Sequence, residues 1–223
     1  MKNQHCIVCK NYSFEVIWND KIRSGRNIFT KKKQKILKCK NCNLIFLQKK
    51  NKDLEDSSLA RKIYNKNNSL EEFYNFHNPR ETKKLEHILN FIKIKNKNIL
   101  ESNCGFGILL NRLKKKTKST TGVDSNFYKK KIISNGHNFF SSFDEIIKNK
   151  FIYDIIFSLS ELEHKLEPIK FLQKLRSSLS DHGKIVLRVP NYENLYKLLL
   201  EKYYYKYDFR TSHNYYFSLK NLK

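Results

Sequence analysis

The stretch Ile99-Leu100-Glu101-Ser102-Asn103-Cys104-Gly105-Phe106-Gly107-Ile108-Leu109-Leu110 constrains this chain more than any other. An apolar run ending in an acid, a turn holding two glycines and a second apolar run read as buried strand, tight turn and helix. Such a turn sets backbone N–H groups, uncrowded by side chains, at the carboxyl end of the strand, where open α/β sheets bind their ligands. A second acid, Asp124, closes Thr121-Gly122-Val123-Asp124, 23 positions after Glu101. That spacing suits a carboxylate that accepts hydrogen bonds from the ribose hydroxyls of a nucleoside-containing cofactor. The G-x-G-x-x-G turn of dinucleotide enzymes would need a third glycine where Leu110 stands.

The rest of the chain supports the sheet that this turn requires. Strands are expected over 98–101, 120–124, 138–140, 153–159 and 184–189, with helices over 108–116, 126–134, 143–148 and 168–179 between them. Alternation of this kind implies a parallel sheet with right-handed crossovers. The run Asp154-Ile-Ile-Phe suits a central strand covered on both faces. Ahead of the sheet, apolar residues at three-to-four spacing predict amphipathic helix over 69–92, with Pro79 dividing it. A last helix is expected from Tyr192 to about Tyr207. The polar segment 49–68 reads as a linker with a short helix near 59–64.

The first 48 residues read as a separate module with β-like runs at 14–18, 36–38 and 44–47. Too small to fold on a core alone, it carries two C-x-x-C pairs, Cys6-Ile-Val-Cys9 and Cys39-Lys-Asn-Cys42, with 29 residues between them. Four thiolates suit one tetrahedral zinc ion in a closed structural site. Two disulfides are the alternative, disfavoured in a reducing compartment. The interval is long for such a site, so the polar stretch 20–35 is expected to project as a hairpin loop. Lys10, Lys38 and Lys40 are placed to stabilise thiolates.

Composition excludes some classes. With 39% hydrophobic and 13% aromatic residues the chain can build a core, and it lacks the run of about 18 apolar residues that a membrane-spanning helix needs. The opening MKNQHCIVCK has no apolar signal core, which makes the cytoplasm the expected location. The formal charge is +24, from 45 basic and 21 acidic residues. Only eight of the basic residues are Arg, and the Lys are scattered among Asn, so most of the excess reads as solvated surface. Its concentration in residues 1–50, with 13 basic and two acidic side chains, keeps a polyanionic partner open.

The order of strand, acid, glycines, helix, strand and acid resembles the class I S-adenosylmethionine-dependent methyltransferases, whose first motif reads E/D-x-G-x-G-x-G. Tyr153-Asp154-Ile-Ile-Phe with Glu163-His164 and Pro168 is similar to the family's fourth strand and its "EH-x-x-x-P" segment. Leu179-Ser-Asp-His182-Gly183 through Pro190-Asn191 resembles its fifth-strand segment. With the cysteine pairs in front and His213-Asn-Tyr-Tyr-Phe-Ser-Leu behind, the chain is similar to zinc-ribbon methyltransferases of sugar and glycan biosynthesis. The resemblance implies an α/β, Rossmann-like, mostly parallel sheet with helices on both faces, preceded by a zinc ribbon. The implied domains are 1–48, 49–97 and 98–223, and the family's last two strands are expected to be missing. Asn103 stands where the family has its first glycine, and His182 where it has the first glycine of a pair.

By the same resemblance S-adenosylmethionine is the cofactor. Asn103, Gly105 and Gly107 would line its methionine part, Glu101 its amino group, Asp124 the ribose, Ser141 and Ser142 the adenine, and Ser158 and Ser160 the methyl donor. Tyr74 and Arg80 resemble residues that close over the cofactor. Asp124 could instead cap the following helix, and Ser142 could be a turn residue. Glu163 and His164 are the candidate catalytic pair, His164 as general base, or else they only orient their loop. The expected acceptor is a sugar or sugar nucleotide. A ribosomal-RNA methyltransferase and an inactive remnant that serves only to bind are the other readings, and the oligomeric state is left open.

Overall fold

The computed structural model describes residues 5–25, 28–50 and 70–222, without the side chains of 70–78, 80, 198, 201 and 202. The expected helix near 59–64 and most of the linker lie outside the described residues. No described helix is long and apolar enough to cross a membrane. The chain forms two compact units, one of residues 1–55, 160–169 and 189–223, the other of 56–159 and 170–188. The modules expected from sequence are contiguous, whereas these units are not.

In the first unit, strands β1 (Phe14–Asp20), β4 (Gln34–Cys39) and β5 (Ile45–Leu47) pair antiparallel, and the late strand β11 (Tyr215–Tyr216) adds to β5. The short hairpin β2 (Arg23–Gly25) and β3 (Ile28–Phe29) lies between β1 and β4 in sequence. Its root is not the wholly polar projecting loop expected, because Ile22 is fully buried. There it joins Ile36, Ile45, Leu47, Tyr192, Phe209 and Tyr216 in one core. Helix α6 (Leu195–Asp208), after the Asn194 N-cap, packs Tyr205 on this core.

The second unit is a five-stranded parallel sheet in the order β10 (Leu179–Arg188), β9 (Tyr153–Leu159), β6 (Asn98–Ser102), β7 (Ser119–Val123), β8 (Asn138–Phe140). Period-two alternation sends successive apolar residues to opposite faces. Ile99, Ile155 and Phe157 pack with Leu85 of α1 (Leu70–Leu89) and with Leu109 and Leu113 of α2 (Ile108–Leu113). On the other face Leu100 and Ile156 pack with Ile146 of α4 (Phe143–Lys148) and Leu175 of α5 (Pro168–Ser177). Each such fully buried side chain contributes about 2 kcal/mol. A third cluster seats Phe106, Leu110, Tyr128 and Ile132 of α3 (Lys129–Ser134) beside the glycine turn. The sheet is the parallel one that the strand–helix alternation implied and the Rossmann-like one that the family resemblance implied.

Three expectations need correction. Helix α1 runs through Pro79 without dividing. A proline there removes one backbone hydrogen bond, and Leu85, Ile88 and Leu89 hold the following turns against the sheet. The helix expected over 126–134 begins as a 3₁₀ turn, Asn126–Tyr128, before α3. Strand β10 starts at Leu179 rather than 184, because Leu179 already pairs with Tyr153 before the register breaks and resumes at Lys184 opposite Ile155. Gly183 permits that irregularity: a Cβ on it would lie 2.6 Å from Leu179 Cγ.

Candidate functional site

The sheet brings the expected cofactor residues to the carboxyl ends of β6, β7 and β9. Ser102 is in register with Val123 on one side and Ser158 on the other, so the residues that follow β6 and β7 emerge next to each other. After β6 the chain turns through three left-handed residues, Asn103 (φ 59°), Gly105 (φ 53°) and Gly107 (φ 69°), before α2 begins. Asn is the side chain that tolerates this region best after glycine, which accounts for the turn at Asn103. Gly107 is fixed by packing as well, since a Cβ there would stand 2.7 Å from Ile132 Cδ1.

Asp124 joins the two strand ends. Its Oδ2 accepts a hydrogen bond from the Gly105 amide at 2.8 Å, and Oδ1 accepts one from Ser125 N at 2.7 Å. The Asp124 carboxylate is buried and reaches the glycine turn through the Gly105 amide. Glu101 is buried one residue before the end of β6.

The remaining expected residues are spread more widely. Ser142 is the N-cap of α4 and accepts from Glu145 N at 3.4 Å. Ser141 hydrogen-bonds Glu145 Oε1. Ser158 is completely buried in β9, in register with Ser102 and Leu187, and Ser160 adopts φ 58°. Tyr74 and Arg80 lie on α1. Sequence reasoning missed a support beneath the turn. Gly122 in β7 leaves room for Cys104, whose Sγ would lie 2.6 Å from a Cβ at that position, and a lone glycine inside a strand was the available signal. Beside it, His137 is held between Thr120 Oγ1 at 2.7 Å and Asn111 Oδ1 at 2.8 Å. Burial, with help from Lys114, lowers the His137 pKa below its ordinary value.

In the antiparallel unit the four expected cysteines converge, with all four sulfurs within 4.8 Å of one another. Cys6 and Cys42 approach to 3.5 Å, as do Cys9 and Cys39. All four are free thiols, and these separations far exceed the ~2.0 Å of a disulfide. They approach the ~3.8 Å edge of a tetrahedron with Zn–S distances of ~2.3 Å. The two knuckles share one design. Lys10 (φ 59°) and Asn43 (φ 62°) follow the second cysteine of each pair in left-handed backbone, and their amides donate to the carbonyls of Cys6 at 2.9 Å and Cys39 at 3.0 Å. Burial pushes the Cys6 and Cys42 thiols up. At Cys9 burial is outweighed by hydrogen bonds from the Asn11 backbone and the Asn41 side chain, which bring its thiol down to about 6. Lys38 pairs with Glu15 at 3.1 Å.

Glu163 and His164 sit in a 3₁₀ turn, Leu162–His164, of the same unit, together with His213. The rings of His164 and His213 lie 5.0 Å apart, and His164 Nε2 is 4.0 Å from Glu163 Oε1. His164 Nδ1 donates to the Ser212 carbonyl, which fixes the tautomer and leaves Nε2 as the basic nitrogen. Burial lowers the His164 pKa, partly offset by that bond, and it lowers His213 further, with Arg210 adding to the effect. Both imidazoles are therefore harder to protonate than a solvent-exposed histidine.

Solved structures share the fold of the parallel sheet. A solved S-adenosylmethionine-dependent methyltransferase from Archaeoglobus fulgidus is 20% identical, with 67% of this chain and 70% of that one covered at a TM-score of 0.50. The plantazolicin methyltransferase BpumL, solved with S-adenosylhomocysteine, is 23% identical over 63% of this chain and 60% of its own, at a TM-score of 0.44. The DhpI–S-adenosylhomocysteine complex is 17% identical over 52% and 58%, at 0.42. This chain thus spans less than two thirds of the length of the latter two. No curated protein matches it in sequence. The family model described as a methyltransferase domain matches residues 74–223, well over half of the chain, and the protein belongs to the class I S-adenosylmethionine-dependent methyltransferases.

Proposed function

We propose that this methyltransferase acts on a sugar, a sugar nucleotide or a related glycan precursor, and that its four cysteines hold a structural zinc ion. The observation that carries the reading is the joint presence of a four-cysteine cluster and a parallel sheet with an acid-bearing glycine turn. That is the combination by which the sequence resembles the zinc-ribbon methyltransferases of glycan biosynthesis. S-adenosylmethionine supplies an electrophilic methyl group when bound. Glu101, Asn103, Gly105, Gly107 and Asp124 would hold its amino acid and ribose portions, with Ser142, Ser158 and Tyr74 contributing around them. The zinc site is closed, with Cys6, Cys9, Cys39 and Cys42 as its whole ligand set, and serves the fold rather than the chemistry.

An acceptor hydroxyl must lose its proton as it attacks. A neutral imidazole with a fixed lone pair can take that proton, and His164 meets both conditions through burial and its bond to Ser212. Glu163, buried beside it, would stabilise the imidazolium that forms. Positioning of nucleophile and methyl group provides much of the remaining acceleration. Free thiols throughout support a reducing, cytoplasmic setting.

Zinc-loaded full-length protein should be stabilised by S-adenosylhomocysteine and should transfer a labelled methyl group from S-adenosylmethionine to a member of a nucleotide-sugar panel. Absence of any thermal shift in folded, zinc-loaded protein would count against cofactor binding. Salt-sensitive methylation of ribosomal RNA, with no sugar product, would favour the RNA reading that the basic first 50 residues motivate.

A further inference from the structure

Helix α6 has an outer face that nothing in the described structure covers. Leu195, Tyr196, Leu199, Leu200, Tyr203 and Tyr207 are all exposed, Tyr203 at 78% and Leu199 at 68%. At 3.6 residues per turn these six fall within a single arc of about 140°. The opposite side of the helix points Tyr205 into the core. Lys206 falls inside this arc beside its six apolar members, and an apolar patch of this extent on a folded helix marks an interaction surface rather than scattered apolar exposure. Half of its members are tyrosine, which favours the boundary between water and hydrocarbon.

The hairpin β2–β3 extends this face. The Phe29 ring packs edge-on against Tyr207 at 6.1 Å, Lys206 Nζ lies 5.6 Å from Phe29, and neighbouring Ile28 is 63% exposed. Directly after the hairpin come Lys31, Lys32 and Lys33, all exposed. A leucine–tyrosine arc that contains Lys206 and adjoins a hairpin followed in sequence by a lysine triplet has the chemistry of a surface that lies in the headgroup region of an anionic bilayer. Other occupants fit less well. Two copies of the chain would each bring a charge of +24 to a shared contact, and the three leucines of the arc offer RNA neither a phosphate contact nor a stacking plane, whereas a bilayer interface takes leucine and tyrosine alike.

We infer that the outer face of α6 and the β2–β3 hairpin dock this protein on an anionic membrane surface as a peripheral protein. The inference does not depend on the identity of the methyl acceptor. Flotation of the full chain with phosphatidylcholine vesicles that contain phosphatidylglycerol, against pure phosphatidylcholine vesicles, tests it. The chain should float with the first and stay behind with the second. Leu199→Glu with Tyr203→Glu should weaken flotation at least tenfold. Lys31→Glu, Lys32→Glu and Lys33→Glu together should weaken it about 100-fold, from roughly a fivefold contribution per lysine. Because these positions are exposed, far-UV circular dichroism should be unchanged. Removing equal charge elsewhere, with Lys115→Glu, Lys118→Glu and Lys148→Glu, should cost much less. The proposal fails if the full chain does not float, if the Leu199/Tyr203 variant floats equally well, or if the control triplet is as damaging as Lys31–Lys33. It also fails if the Leu199/Tyr203 change converts a dimer to a monomer in vesicle-free solution, or abolishes retention of a homopolymer RNA.

Discussion

The Asp124 carboxylate accepts a 2.8 Å hydrogen bond from the Gly105 amide, which ties the end of β7 to the turn that follows β6. The residue proposed to hold the ribose therefore also fixes the shape of the turn proposed to receive the rest of the cofactor. On that proposal, binding and local stability are coupled through one side chain.

Asp124→Ala should abolish the thermal shift produced by S-adenosylhomocysteine and also lower the melting temperature of the ligand-free protein. Loss of a hydrogen bond to a charged acceptor in a buried setting costs about 1.5–3 kcal/mol, several degrees for a chain of this size. Scanning fluorimetry with and without ligand measures both. A variant that keeps the ligand shift in full would remove Asp124 from the binding site.

Gly107→Ala should destabilise the protein by about 1–3 kcal/mol in urea. A methyl group at φ 69° carries a left-handed penalty, and it would stand 2.7 Å from Ile132 Cδ1. Asn103→Gly, at φ 59° in the same turn, should be neutral or stabilising by up to about 1 kcal/mol, because it relieves the backbone without a new contact.

Chelation should unmake the antiparallel unit. Purified protein is expected to carry one zinc per chain, released by thiol-modifying reagents and absent from Cys39→Ser. The single tryptophan of the chain, Trp18, packs edge-on against Tyr205 and Phe209 at 6.2 and 6.0 Å. Its emission should shift to the red when zinc is withdrawn, as expected when a metal stabilises the fold. An unchanged spectrum in metal-free protein would show that the cysteines do not support this core.

Stability should fall as pH drops below about 6.5. Burial depresses His213 and His137, with Arg210 and Lys114 adding to the effect. In that window the unfolded chain binds protons that the folded chain refuses, so stability rises with pH there and is lost on acidification. Urea midpoints from pH 7 to pH 5 should show this slope, and His137→Gln should flatten it.

If His164 is the base, the rate of methyl transfer should rise with pH through an acidic limb below pH 6.5, the direction in which burial moves this histidine. His164→Gln should lower kcat by about 10²–10⁴-fold and remove that limb while S-adenosylhomocysteine still binds. A wild-type limb that persists in the variant would assign it elsewhere.

Local pattern alone carried much of this protein. Ile155 and Ile156 pack on opposite faces of the sheet, as a continuous apolar run in a two-sided strand must. The glycine turn was legible because left-handed backbone admits few residue types, and the cysteine knuckles because metal-ligand spacing is a short-range property. What the sequence did not disclose came from contacts between residues far apart in the chain. Pairing of Tyr215 with Phe46 returns the last described strand to the first sheet. The Asn214 amide donates to the Glu163 carbonyl at 2.9 Å, which assembles Glu163, His164 and His213 from segments some 50 residues apart. The pairing of Asp124 with Gly105, 19 positions before it, has the same origin. Periodicity and spacing record what neighbouring residues require of one backbone, while partner choice across the fold is settled only when burial makes each polar group find its bond.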